Sequence, residues 1–145
     1  MKRNRIVFTL ALIIIVIIFF EVISYINKGI EIGELNNMYK DIKILENKIA
    51  LYFLDYENLP IIKDRKIEFK DKSINPNDND NYYEIDLNKL ENLKLFYGNK
   101  KMGINDIYII NEQSHSIYYL AGYKYEGMWI YTRDVDYKYI DLENY

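Results

Sequence analysis

No cysteine occurs among the 145 residues, so the chain holds no disulfide framework, no thiolate zinc site and no cysteine to carry a lipid. Histidine occurs once, at His115. Without a second histidine or a cysteine, neither a Cys-His pair nor a histidine-based metal site can be built. A Ser-His-Asp set would have to use Ser114 or Ser116, neighbours of His115 in an expected hairpin turn, and no nucleophile-elbow motif surrounds them. Phosphate loops and dinucleotide fingerprints are missing as well. These absences point to a non-catalytic protein with no cofactor, metal or identifiable small-molecule ligand. Proline is scarce too: the two are Pro60 and Pro76.

Positive charge is short where nucleic acid would need it. Of the 19 Lys and Arg, three are Lys2, Arg3 and Arg5, which leaves 16 basic side chains against 22 acidic ones from Ile6 onward. An acidic domain does not suit phosphate binding, so nucleic acid is excluded as a partner.

What is present begins with the run Ile6 to Ile26, IVFTLALIIIVIIFFEVISYI. It matches the roughly 20 apolar residues that cross a bilayer as one helix. The basic tip ahead of it, residues 1–5, predicts a cytoplasmic N-terminus and an exported remainder, hence a single-pass cell-membrane protein. A cleavable signal is the rival reading. The run is longer than a signal's apolar region, and Phe19-Phe20-Glu21-Val22-Ile23-Ser24-Tyr25 offers no small-x-small site, which favours a retained anchor. Glu21 falls near the outer interface, where a charge costs less than at the bilayer centre.

Residues 27–58 carry a second helical pattern. Gly29 and Gly33 mark an expected bend at Asn27 to Gly33. Beyond it Leu35, Met38, Ile42, Leu45, Ile49, Tyr52 and Tyr56 recur at intervals of three and four, one apolar stripe expected to pack on the chain's own sheet. Lys40, Asp41, Lys43, Glu46, Asn47 and Lys48 fall largely off the stripe. Pro60 ends the helix.

Residues 59–145 read as a small sheet domain that, with 34–58, makes one folding unit. Ile67-Glu68-Phe69 alternates weakly enough for a short strand. Ser73 to Asn81 is loop by composition; its Asp and Asn invite calcium, but the glycine and terminal glutamate of an EF-hand loop are missing. Asp86 is placed to cap a short helix across Leu87, Leu90 and Leu93. Ile107–Ile110, Ile117–Leu120, Met128–Tyr131 and Tyr137–Ile140 are β-branched and aromatic runs, expected to form a meander of antiparallel hairpins with turns at Glu112–His115, Gly122–Gly127 and Arg133–Asp136. The fold class is therefore α+β: a long N-terminal helix, half membrane-spanning and half amphipathic, packed on a small antiparallel sheet. The 16 tyrosines reflect a compositional bias along the chain, and those in the strand region are expected to pack in the core or the hairpins, with an exposed protein interface as the alternative.

Three segments resemble the type IV pilin-like superfamily, which includes the pseudopilins of type II secretion and competence systems. Phe8-Thr9-Leu10 before an all-apolar helix resembles the start of a mature pilin. DIKILENKIALYFLDYENLP, Asp41 to Pro60, is similar to the pseudopilin helix end, where an aspartate, an apolar stripe and a tyrosine precede a linker and a proline. IYIINEQSHSIYYLAG is similar to the family's strand pair leading into a glycine. The resemblance implies a pilin-like fold, a role as a minor pseudopilin or pilus-assembly component, and other pilin-like subunits and assembly machinery as partners. The structural and assembly residues it singles out are Phe8, Thr9 and Leu10, the stripe from Leu35 to Tyr56, and Pro60. Two positions depart from the family's pattern: Val7 stands where prepilins carry the glycine before the cut, and Leu12 where the fifth mature residue is a glutamate. The alternative is a membrane-anchored extracytoplasmic binding or sensing domain of the same shape.

Overall fold

The computed structural model describes residues 2–69, 80–98 and 103–133. Among the described residues a single helix, α1 (Lys2–Tyr56), is followed by six strands and one short 3-10 turn, an α+β arrangement. At 1.5 Å per residue, 55 residues make a helix about 80 Å long. The expected bend at Asn27 to Gly33 does not form, and α1 runs through it unbroken. Neither Gly29 nor Gly33 has any other group within 4 Å of the place a Cβ would occupy. Each therefore costs helix propensity, up to about 1 kcal/mol, without a local contact that would turn the chain. The helix stops at Tyr56, two residues short of the expected end. Glu57 adopts the left-handed region (φ 54°), and its N–H donates to the Phe53 carbonyl at 2.9 Å, a left-handed C-terminal cap. Pro60 follows, buried.

The strands are β1 (Ile61–Ile67), β2 (Tyr82–Ile85), β3 (Tyr108–Asn111), β4 (Ile117–Tyr119), β5 (Tyr123–Tyr125) and β6 (Met128–Ile130). The first four form one antiparallel sheet in chain order, and β5 and β6 form a separate hairpin. A meander was expected, but it starts earlier than the sequence suggested: β1 and β2 supply half of the four-stranded sheet. Ile67 closes β1 instead of opening a strand. Residues 63–66 of β1, Lys-Asp-Arg-Lys, are all exposed on this outer strand, where charge discourages edge pairing with another chain. Tyr123-Lys124-Tyr125 is a strand, not turn as expected. The true turn is Glu126-Gly127, both with positive φ (48° and 83°), the pattern of a two-residue hairpin loop. The helix expected across Leu87 to Leu93 is reduced to the 3-10 turn Leu87–Lys89; Asp86 does cap it, accepting from the Asn88 N–H. The expected strand at Tyr137–Ile140, most of the Ser73–Asn81 loop and most of the Arg133–Asp136 turn lie outside the described residues.

Both faces of the sheet are covered. On one face Ile85, Tyr108, Ile110, Ile117 and Tyr119 meet Leu35, Met38, Ile42 and Leu45 of the helix in one buried cluster. On the other, Tyr82, Ile109 and Tyr118 pack with Phe69 and Tyr131. This double cover explains why all three residues of β4 are buried instead of alternating.

Candidate functional site: a helix that leaves its domain

The helix has two environments. From Asn4 to Glu31 every residue is exposed; from Ile32 to Ile49 one side is buried. The exposed half contains the whole apolar run, with Ile6 at 60%, Phe8 at 71% and Phe20 at 67%. A free apolar surface of this extent marks a membrane or protein contact. Mean hydropathy in its most apolar stretch is 3.2, and the helix is long and apolar enough to cross a membrane. Thr9, inside the run, donates its hydroxyl to the Arg5 carbonyl at 2.9 Å, so its polar group is satisfied within the helix.

The stripe residues divide. Leu35, Met38, Ile42 and Leu45 are fully buried and Ile49 nearly so, all against the chain's own domain. Tyr52 is half-buried. Tyr56 is 60% exposed, its ring 4.5 Å from that of Tyr52. Phe8 and Leu10 are exposed on the free half and touch nothing in the domain. The structure thus brings Leu35 to Tyr52 together against the domain, buries Pro60 beyond the helix end, and leaves Phe8, Thr9, Leu10 and Tyr56 outside that contact.

Asp41 corrects the sequence reading. It does not lie off the stripe but is completely buried. Three residues after Met38 and four before Leu45, it shares their helix face. Its Oδ1 accepts from the Phe96 N–H. Its Oδ2 accepts from the Tyr97 N–H at 2.8 Å, the Gly98 N–H at 3.0 Å and the Tyr108 hydroxyl at 2.8 Å. One carboxylate therefore ties the helix both to the β2–β3 connection and to β3. Gly98 has no room for a side chain: a Cβ there would sit 2.5 Å from the Tyr108 ring. The available signal was positional, an acidic residue at an i+3/i−4 site within an apolar stripe.

A line of tyrosines extends from this point. Tyr108 and Tyr119 rings lie 5.2 Å apart, Tyr97 and Tyr119 5.2 Å, and Tyr97 and Tyr123 5.9 Å. The Tyr119 hydroxyl donates to Asp106 Oδ1 at 2.6 Å and that of Tyr123 to the Glu31 carbonyl at 3.0 Å. Burial, with the Asp41 carboxylate next, pushes the Tyr108 phenol far up. Burial and the bond to Asp106 do the same to Tyr119. Tyr123 is pushed up to about 12 by burial and the nearby Glu34 and Glu31. These hydroxyls are donors held neutral, which suits structural hydrogen bonding.

His115 sits in the β3–β4 turn in the left-handed region (φ 60°), with its ring 5.2 Å from Phe53 of the helix. The Ser114 and Ser116 hydroxyls bond each other at 3.0 Å. Among the described residues no group of three His, Asp or Glu side chains is placed to hold a metal ion. Comparisons with protein-family models, curated proteins and solved structures each return no match to this chain.

Proposed function

We propose that this protein is a minor pseudopilin or pilus-assembly component, non-catalytic, anchored by Ile6 to Ile26 with its N-terminus cytoplasmic and its sheet domain outside the cell membrane. One observation carries the reading: a single unbroken helix is bare and apolar over its first half and buried against an antiparallel meander over its second. The short sequence likenesses at Phe8-Thr9-Leu10 and Asp41 to Pro60 support it. In such an assembly the free half packs against other pilin-like helices, and the buried half carries the domain.

Val7 and Leu12 favour a second reading. Without the small residue at the cut site and without the glutamate, the helix stays in the bilayer with its basic tip and carries a binding or sensing domain. In-cell photo-crosslinking from Leu10, Ile14 and Ile17 separates the two. Adducts with other pilin-like helices are the expected result. Adducts with lipid alone, in cells that express the assembly machinery, would transfer the protein to the second reading.

A further inference from the structure

The β5–β6 hairpin is tethered to the helix at the level where the apolar run ends. Lys28 Nζ pairs with Glu126 Oε1 at 3.0 Å, and Tyr123 reaches the Glu31 carbonyl further along. Lys28 is two residues beyond Ile26, about 3 Å along the axis. The contact at the hairpin tip therefore precedes, along the helix, the contact from its base, and the tip is the end nearer the apolar run. An open cleft of about 390 Å³ lies between them. Phe20 and Ile23 line its apolar end; Asn27, Lys28, Glu31 and Glu126 line the rest. Immediately after the tip, Met128 and Trp129 are 45% and 53% exposed, although the neighbouring Ile130 is fully buried. Tyr25, at the end of the run, is 74% exposed.

We infer that the β5–β6 hairpin is a membrane-contact element: Met128 and Trp129 seat in the headgroup layer of the leaflet through which the helix emerges. The inference rests on the reading of Ile6 to Ile26 as a membrane-spanning helix. Tryptophan and tyrosine concentrate at this depth because their rings have an apolar body and a polar edge. Tyr25 at the end of the run and Trp129, three residues after the tip residue Glu126 and stacked on Tyr131 at 6.4 Å, supply such rings. Tyr123, Tyr125 and Ile130 of the hairpin are buried in one cluster with Ile32 and Leu35 of the helix, so the domain meets the membrane at two points and is not free to swing about one. Lipid is the occupant because Glu126 at the hairpin tip shares a cleft with Phe20 and Ile23 of the apolar run, which places the tip where that run leaves the bilayer.

Trp129 is the sole tryptophan, so its emission reports on this one place. The full chain is reconstituted into phosphatidylcholine vesicles, with or without bromine near the carbonyl end of the acyl chains, and flotation is measured on the same samples. The hairpin lies on the domain side of the helix, so either insertion direction reads the same leaflet. The expected result is co-flotation with a clear loss of Trp129 emission in the brominated vesicles. Co-flotation with equal emission in both would overturn the hairpin contact and leave the anchor standing. Failure to float would overturn the anchor, and the hairpin contact with it.

Discussion

Asp41 is the residue on which the helix and the sheet agree. A buried carboxylate is tolerable only where donors converge on it, and here three backbone N–H groups and the Tyr108 hydroxyl do so. Asp41→Ala strands all four, so the domain is expected to lose about 3 kcal/mol or more of stability in denaturant unfolding of the detergent-solubilised protein. A loss below about 1 kcal/mol would show that the donors find other partners. The tyrosines give a pH test. The raised phenols of Tyr108, Tyr119 and Tyr123 mean that the folded state holds protons that the unfolded chain releases from about pH 10 upward. Their contribution is complete below pH 10 and falls as pH climbs through the folded values, the first being that of Tyr123 at about 12. Tyrosinate absorbance is therefore expected to rise in two stages, the second together with loss of near-ultraviolet circular dichroism. All 16 tyrosines ionising in one step near pH 10, with the dichroism unchanged, would contradict this burial. Asp41 shows what a one-dimensional reading misses: its position on the stripe was visible, but its donors come from residues more than 50 positions away.

At the scale of elements, α1 is one helix with two halves, the first exposed throughout and the second buried along one side. Leu45 is fully buried whereas Leu54, on the same helix, is 76% exposed. Leu45→Ala is expected to cost about 2–5 kcal/mol and Leu54→Ala less than about 0.5 kcal/mol, read from unfolding midpoints. Equal effects would place the stripe in a contact other than the one with its own sheet. The apolar run and the stripe were legible because each is a long signal, and interval patterns accumulate over seven positions. Pro60 bounds the helix from outside, but the chain leaves it earlier, at the left-handed Glu57. The strands were less legible. Ile107–Ile110, Ile117–Leu120 and Met128–Tyr131 stood out as β-branched and aromatic runs and became β3, β4 and β6 within a residue or two. Tyr82–Ile85 was lost beside an Asn- and Asp-rich stretch, and Tyr123–Tyr125 between two glycines, because three or four residues give too little alternation to outweigh turn-forming neighbours. The unbroken helix at Gly29 and Gly33 has a different cause. Propensity alone does not bend a helix when its surroundings leave it straight.

At the scale of the whole molecule, the bare apolar half of α1 and the folded domain stand at opposite ends of one rod. The domain closes its own core around Leu35 to Ile49 and leaves Ile6 to Ile26 exposed. Water is a poor medium for that much free apolar surface, and a bilayer of about 30 Å matches its length. The basic residues Lys2, Arg3 and Arg5 precede the run and are expected to keep the N-terminus on the cytoplasmic side. Both readings of function depend on this arrangement, an inner tip, a spanning helix and an outer domain, and protease accessibility tests it most directly. With a tag at each end and a protease added to intact cells whose wall admits it, the tag beyond Tyr145 is expected to disappear while the tag ahead of Met1 survives until the membrane is lysed. Survival of the C-terminal tag until lysis would contradict the account.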